Sequence, residues 1–179
     1  MPRYCRHIRA GAGGGAPSGR LQRLDGPRES LIISSDAPAQ TLACGARLGS
    51  LIPPGTVLSL EGGLGAGKTV LAKGICSGLG VPDEILSPSF ILVEEYRGAF
   101  PVFHFDLYRL EKTGEIAGIG LPDAADGHAV VIIEWGDRLP EGMLDIDVRA
   151  AMKITGPERR EISIEGCRAL LEALAEGLQ

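Results

Sequence analysis

The chain has no asparagine at any of its 179 positions. The Asn-Lys-x-Asp motif with which GTPases read guanine is therefore excluded. Cysteine is sparse: Cys5, Cys44, Cys76 and Cys167 stand far apart, and none forms a Cys-x-x-Cys pair. That spacing supports neither a zinc site nor a disulfide framework and fits a reducing cytoplasmic home. Aromatic residues make up 4% of the sequence. No run approaches the roughly 18 apolar residues of a membrane span, so no membrane partner is expected. The first thirty residues lack the apolar stretch of a signal peptide. Positive charge is also in short supply. A net charge of −5 and a pI near 5.2 argue against direct holding of nucleic acid, DNA included, because phosphate neutralisation needs a basic face.

Glycine, at 26 residues, is plentiful, and charge is unevenly spread. Arg3, Arg6, Arg9, Arg20, Arg23 and Arg28 against Asp25 and Glu29 give residues 1–30 a net +4, which leaves −9 for the remaining 149. With its Gly-Ala-Gly-Gly-Gly-Ala-Pro-Ser-Gly stretch and little apolar periodicity, 1–30 reads as a disordered Gly/Arg-rich tail. A basic arm touching RNA is the alternative to a dispensable tail or a start codon placed too far upstream. Residues 31–179 suffice for one domain with a real core.

Leu31–Ser34 is a short apolar run, and Asp36 stands where a helix N-cap would. A helical segment through Thr41, Leu42, Leu48 and Leu51 ends at Pro53-Pro54-Gly55. Val57–Leu60 reads as a buried strand, and a helix is expected from Gly67 to about Leu79, stopped by Gly80 and Pro82. Further strands are expected at Phe90–Tyr96, Val102–Asp106 and Val130–Trp135. The last is continuously apolar over Val130–Ile133, as a strand covered on both faces must be. Strands at Asp147–Ile154 and Arg160–Ile164 lie close enough to pair antiparallel, and a helix from about Cys167 to Leu178 closes the chain. The fold class is α/β: a P-loop NTPase-like three-layer sandwich, with a mainly parallel sheet and antiparallel C-terminal edge strands.

Gly62-Gly63-Leu64-Gly65-Ala66-Gly67-Lys68-Thr69 satisfies G-x-x-x-x-G-K-[ST] at every fixed position. Small residues let successive backbone N–H groups turn inward around the β- and γ-phosphates of a nucleotide. Lys68 would set its charge on those oxygens and the Thr69 hydroxyl would coordinate Mg²⁺. The helix opening there would offer its positive end to the anion. The loop follows an expected strand and opens an expected helix, as that use requires.

Such a site needs a carboxylate at a neighbouring strand end. Asp106 ends Val102–Asp106 and Glu134 ends Val130–Ile133, both on the sheet edge where the loop sits. Residue pattern alone leaves open which touches the metal and which orients water. Ser87-Pro88-Ser89 places two hydroxyls before a strand, either a γ-phosphate sensor or a plain turn. His104 reads as structural or edge-exposed. Trp135, the single tryptophan, reads as a packing residue or an anchor for a partner.

No Asp-x-x-Gly follows the loop, no Leu-Ser-Gly-Gly-Gln stretch marks a transporter ATPase, and Arg97, Arg109 and Arg138 are too scattered for a kinase lid. Four blocks carry a resemblance: Glu61–Thr69 with its helix, Ser87–Tyr96, His104-Phe105-Asp106-Leu107-Tyr108-Arg109-Leu110, and Ile133-Glu134-Trp135. In order and spacing they resemble the TsaE family (also known as YjeE) over roughly Leu31 to Ile164. That resemblance implies a bacterial ATPase needed for threonylcarbamoyladenosine at position 37 of tRNAs reading ANN codons. It would bind ATP and Mg²⁺ and dock on TsaD and TsaB. It would meet tRNA only through that complex, which its hydrolysis would reset between turnovers.

Carried over by position, Gly63–Thr69 would bind the ATP phosphates, with Lys68 on them and Thr69 on Mg²⁺. Glu134 would be the essential strand-end Mg²⁺ ligand, Asp106 a second essential acid near the metal and its waters, and Ser87 and Ser89 part of a switch segment. Trp135 would help shape the site, and Thr41 and Arg160 match weaker nucleotide-side positions. Gly63 in place of a frequent acidic residue, Ser89 in place of Thr, and Glu111–Ile116 in place of Asp-Pro-Glu-Glu-Leu depart from the pattern. The rival readings are a P-loop phosphotransferase and a non-hydrolytic nucleotide-sensing assembly module.

Overall fold

The computed structural model describes residues 24, 26–82, 85, 91–110 and 112–178. In chain order the elements are β1 (Arg28–Ser35), α1 (Pro38–Leu51), β2 (Val57–Glu61), α2 (Lys68–Gly78), β3 (Val93–Arg97) and β4 (Pro101–Asp106). Then follow α3 (Thr113–Gly118), α4 (Leu121–Ala124), β5 (Val130–Glu134), a 3₁₀ turn (Gly136–Arg138), β6 (Val148–Ile154), β7 (Arg160–Cys167) and α5 (Arg168–Glu176). All seven strands share one sheet in the order β1-β7-β6-β2-β5-β4-β3. The four central strands β6, β2, β5 and β4 run parallel. β7 is antiparallel to β6, β1 to β7, and β3 to β4.

The apolar run of β5 explains the layering. A strand's side chains alternate between faces, so four consecutive apolar residues need cover on both. Val130 and Ile132 enter one core with Leu48 of α1, Leu71 and Ile75 of α2 and Leu170 of α5. Val131 and Ile133 enter a second core with Ile116 of α3 and Leu121 of α4. The result is the expected three-layer sandwich. Among the described residues no helix is long and apolar enough to cross a membrane.

α1 and α2 touch backbone to backbone. Each carries two glycines four residues apart, Gly45 and Gly49 on one, Gly74 and Gly78 on the other. A Cβ added at Gly49 would lie 2.1 Å from the Ile75 carbonyl oxygen, and one at Gly78 would lie 2.1 Å from that of Ala46. Gly45 and Gly74 are equally closed, at 2.4 Å from Leu71 O and 2.2 Å from Leu42 O. Glycine inside a helix costs about 1 kcal/mol relative to alanine, and here the close approach of two helices requires it.

Several boundaries differ from the sequence expectations. β1 begins at Arg28, ahead of Leu31, because Arg28–Ser30 pair with Cys167, Gly166 and Glu165. Of the expected tail over residues 1–30, residues 1–23 and 25 lie outside the described residues, and Arg28–Ser30 belong to β1. α1 is capped by Ala37, not Asp36; Pro38, with its fixed φ and missing N–H, sets the start. Asp36 instead pairs with Arg159 at 3.2 Å. β3 starts at Val93 because Leu92 is left-handed at φ 71° and cannot continue a strand. β7 runs on to Cys167, lengthened by its pairing with β1, which makes β1 and not a C-terminal strand the outer edge.

Candidate functional site

The Gly62–Thr69 loop joins β2 to α2 at the C-terminal end of the parallel strands. Gly62 (φ 133°) and Gly67 (φ 103°) hold left-handed backbone that other residues resist, and a Cβ on Gly62 would sit 2.4 Å from Met152 O. Gly63 has open space around it, so its departure from the family pattern has no steric cause here. Arg160, arriving from β7, donates from Nε to Ala66 O at 3.0 Å and from Nη2 to Gly65 O at 3.1 Å. The loop is thus braced by a second strand.

Lys68 is 5% exposed, and its Nζ donates to Gly62 O at 2.6 Å and to Gly63 O at 3.0 Å. The ammonium also lies 3.6 Å from the centroid of the Trp135 ring. Burial lowers the Lys68 pKa from the usual lysine value, while the charges of Glu134, Asp137 and Asp106 act to raise it. Trp135 is aimed there by a left-handed backbone, φ 59°, right after β5. Its ring stacks at 4.9 Å on Tyr108, and the Arg138 guanidinium lies 5.3 Å from both rings. Arg138 Nη1 also donates to the carbonyl oxygens of Leu107, Tyr108 and Leu110.

Asp106 and Glu134 end adjacent parallel strands and stand side by side in register. Each is 2% exposed. Glu134 Oε2 accepts the Thr69 hydroxyl at 2.9 Å, and Oε1 faces His104 Nε2 at 3.0 Å. Asp106 Oδ1 accepts the backbone N–H of Tyr108 at 2.8 Å. Together the loop, Asp106, Glu134, Tyr108, Arg109 and Trp135 line a cleft of about 430 Å³.

The donor set is a hydroxyl beside two carboxylates, all hard oxygens, which suits Mg²⁺. Among the described residues no group of three or more His, Cys, Asp or Glu could hold a metal alone. Mg²⁺ takes one or two carboxylates and completes its shell with water and phosphate oxygens.

Lys68, Thr69, Asp106, Glu134 and Trp135, separate in the sequence, converge on this cleft. Ser87 and Ser89 lie outside the described residues. Thr41 does not line the cleft; its hydroxyl is buried 2.8 Å from Ser35 Oγ. His104, expected to be structural or edge-exposed, is fully buried on Glu134, and its Nδ1 has no hydrogen-bond partner among the described residues. An orphaned buried nitrogen costs about 1–3 kcal/mol. The signal available in the sequence was its position two residues before Asp106, on the same face of one strand. Arg138 was missed because its partners are backbone carbonyls.

A glycine-rich loop between strand and helix, set at the C-terminal edge of a mainly parallel sheet, defines a P-loop α/β protein. The family model described as "Threonylcarbamoyl adenosine biosynthesis protein TsaE" matches residues 35–162. The chain belongs to the TsaE family, as the four sequence blocks implied. The tRNA threonylcarbamoyladenosine biosynthesis protein TsaE of Treponema pallidum (strain Nichols) is 35% identical over 130 residues, covering 73% of this chain and 96% of that protein. Its namesake from Bacillus subtilis (strain 168) is 35% identical over 142 residues, covering 79% and 89%. The crystal structure of Bacillus subtilis YdiB superposes with a TM-score of 0.66 at 30% identity, covering 86% of this chain and 97% of that one.

Proposed function

We propose that this chain is a cytoplasmic Mg²⁺-dependent ATPase required for threonylcarbamoyladenosine at position 37 of tRNAs reading ANN codons. It acts with TsaD and TsaB, reaches tRNA only through them, and its hydrolysis resets their complex between turnovers. One observation carries the hydrolytic reading: the Thr69 hydroxyl meets Glu134 at 2.9 Å at the mouth of a phosphate-binding loop. A hydroxyl at the start of the loop helix and a carboxylate at a strand end are the protein's share of a Mg²⁺–nucleotide site.

In this reading the backbone N–H groups of Gly63–Thr69, through Leu64, Gly65, Ala66 and Gly67, cradle the β- and γ-phosphates. Lys68 exchanges two neutral carbonyls for phosphate oxygens, a stronger, charge-assisted contact. Thr69 and Glu134 hold Mg²⁺, and Asp106 orients water nearby. Mg²⁺, when bound, neutralises charge on the β- and γ-oxygens. Ser87 and Ser89 serve as the switch segment, and Trp135 helps shape the cleft. Arg138 and Arg160 are held on backbone carbonyls, and no arginine stands in a fixed finger motif in the sequence, so turnover by the isolated chain should be slow without a partner. The net −9 of residues 31–179 suits docking on basic partners.

Reconstitution tests the proposal. With TsaB, TsaD, threonylcarbamoyl-AMP and tRNA, the wild-type chain should support many turnovers, and Lys68→Ala should lower them about 100-fold or more. Equal turnover in both overturns the assignment. Glu134→Ala separates hydrolysis from nucleotide-driven assembly. Retained ATP binding and complex formation with lost modification supports hydrolysis, and unchanged modification sinks it. Label passing from ATP to a small molecule or protein would instead establish a phosphotransferase.

A further inference from the structure

We infer that His104 is a positioning residue, whose Nε2–H fixes the Glu134 carboxylate so that Oε2 faces Thr69 and the cleft. The inference rests on the Mg²⁺–ATP reading above and deepens it.

Alternation along β4 places His104 on the same face of the sheet as Asp106 and Val102, and the register sets it beside Ile132. Val102, Val130 and Ile132 belong to the core on that face. An apolar side chain of similar size would fill this space without burying a nitrogen that has no partner. Among the described residues the imidazole Nδ1 is such a nitrogen, so packing alone is a poor account of a histidine here. What the ring does have is one well-placed contact, Nε2 to Glu134 Oε1 at 3.0 Å, with both side chains buried. In this inference the proton of the contact sits on Nε2, and Glu134 Oε1 accepts it.

The terminal torsion of a glutamate is broad and roughly two-fold, so one hydrogen bond leaves the carboxylate free to turn. Glu134 has a donor on each oxygen: Thr69 on Oε2 and His104 on Oε1. Two donors from different elements leave a single orientation. Removing the His104 donor frees Oε1 in a buried setting, and the carboxylate turns or tilts toward other donors. Groups that orient a metal-binding carboxylate typically change metal affinity or activity 10–100-fold when lost.

The test uses the full chain, His104→Leu and His104→Gln, with Mn²⁺ and ATP as probes. Trp135 is the only tryptophan and lies against Lys68, so its fluorescence reads ATP binding without metal. Electron paramagnetic resonance reads Mn²⁺ retained by the protein–ATP complex. His104→Leu should weaken Mn²⁺ retention about 10–100-fold while metal-free ATP binding stays within about 2-fold. His104→Gln, whose amide N–H₂ can reach Glu134, should recover to within about 3-fold of wild type. In the nucleotide-free protein, ¹⁵N spectra of the imidazole should show Nε2 protonated and Nδ1 bare.

Unchanged Mn²⁺ retention in His104→Leu overturns the inference. So does a His104→Gln variant that is folded by circular dichroism yet as weak as His104→Leu, or an Nε2 without its proton. Should His104→Leu fail to fold, the Gln variant and the imidazole spectrum still decide. A wild-type chain that binds neither ATP nor Mn²⁺ sinks the ATPase reading. The spectrum of the free protein is independent of it and still judges the hydrogen bond.

Discussion

The two helical layers of this molecule are built differently. One consists of α1, α2 and α5, with 14, 11 and 9 residues, and its first two helices are in backbone contact through four glycines. The other has α3 and α4, with 6 and 4 residues, followed by a 3₁₀ turn and loops around Trp135, Leu139 and Met143. The cleft lies at the seam between them. Lys68 comes from the long-helix layer and the Trp135 ring from the short-helix layer, and they meet at 3.6 Å. The helix that carries Lys68 is therefore held against its neighbour by steric necessity. The opposite wall of the cleft depends on individual polar and ring contacts, which are easier to shift.

Substitutions of the same kind should give opposite results in the two layers. The largest effect is expected for Gly49→Ala or Gly78→Ala, where the new methyl meets a carbonyl oxygen and the helices must part; urea denaturation should show a loss of about 3 kcal/mol. A loss under about 1 kcal/mol would mean that the interface yields, and the contrast between layers would fail.

Two buried thiols on these same helices, Cys44 and Cys76, report the tightness of the core they enter. Burial pushes Cys44 up to about 11 and Cys76 up to about 12 from an ordinary value of 9.0. Iodoacetamide at pH 8, followed by mass spectrometry, should label both about 100-fold more slowly in the folded protein than after unfolding. The sign for stability follows. Above about pH 9 the unfolded chain releases these protons while the folded one keeps them, so stability falls from there toward pH 11, and the urea midpoint at pH 10 should lie below that at pH 8.

In the other layer, Arg138→Ala removes the donor to three carbonyls and the cation over two rings. It should cost about 1.5 kcal/mol and shift Trp135 emission to the red as the ring gains solvent. Smallest is Gly118→Ala at the end of α3, where a Cβ meets nothing within 4 Å. It should raise stability by about 0.5 kcal/mol, the reverse of Gly49→Ala.

What could be read from the sequence follows the range of each interaction. The loop was legible because its chemistry is local: eight consecutive residues, a strand before and a helix after. β5 was legible because a run of Val and Ile admits few other placements, and the β6–β7 hairpin because its strands are close in the chain. α3 and α4 were not, being too short for an apolar period to register. Nor was the start of β1, whose partner lies at the far end of the chain. The two acids were found as strand ends. Their link to Thr69 and His104 depends on which strands are neighbours, and that is a property of the sheet, not of any segment.

The pairing of β1 with β7 sets Arg28 opposite Cys167 and Ser35 opposite Arg160. During synthesis β1 emerges long before β7, its sheet neighbour among the described residues, exists. β2, β4 and β5 can assemble while β1 waits with its hydrogen-bonding edges unfilled. A nascent chain halted before Arg160 would thus carry an unpaired strand bearing Leu31, Ile32 and Ile33, a template for misassociation until the last hairpin arrives. Closure of this sheet is a late, long-range event, and β1 is among the last parts to find its place.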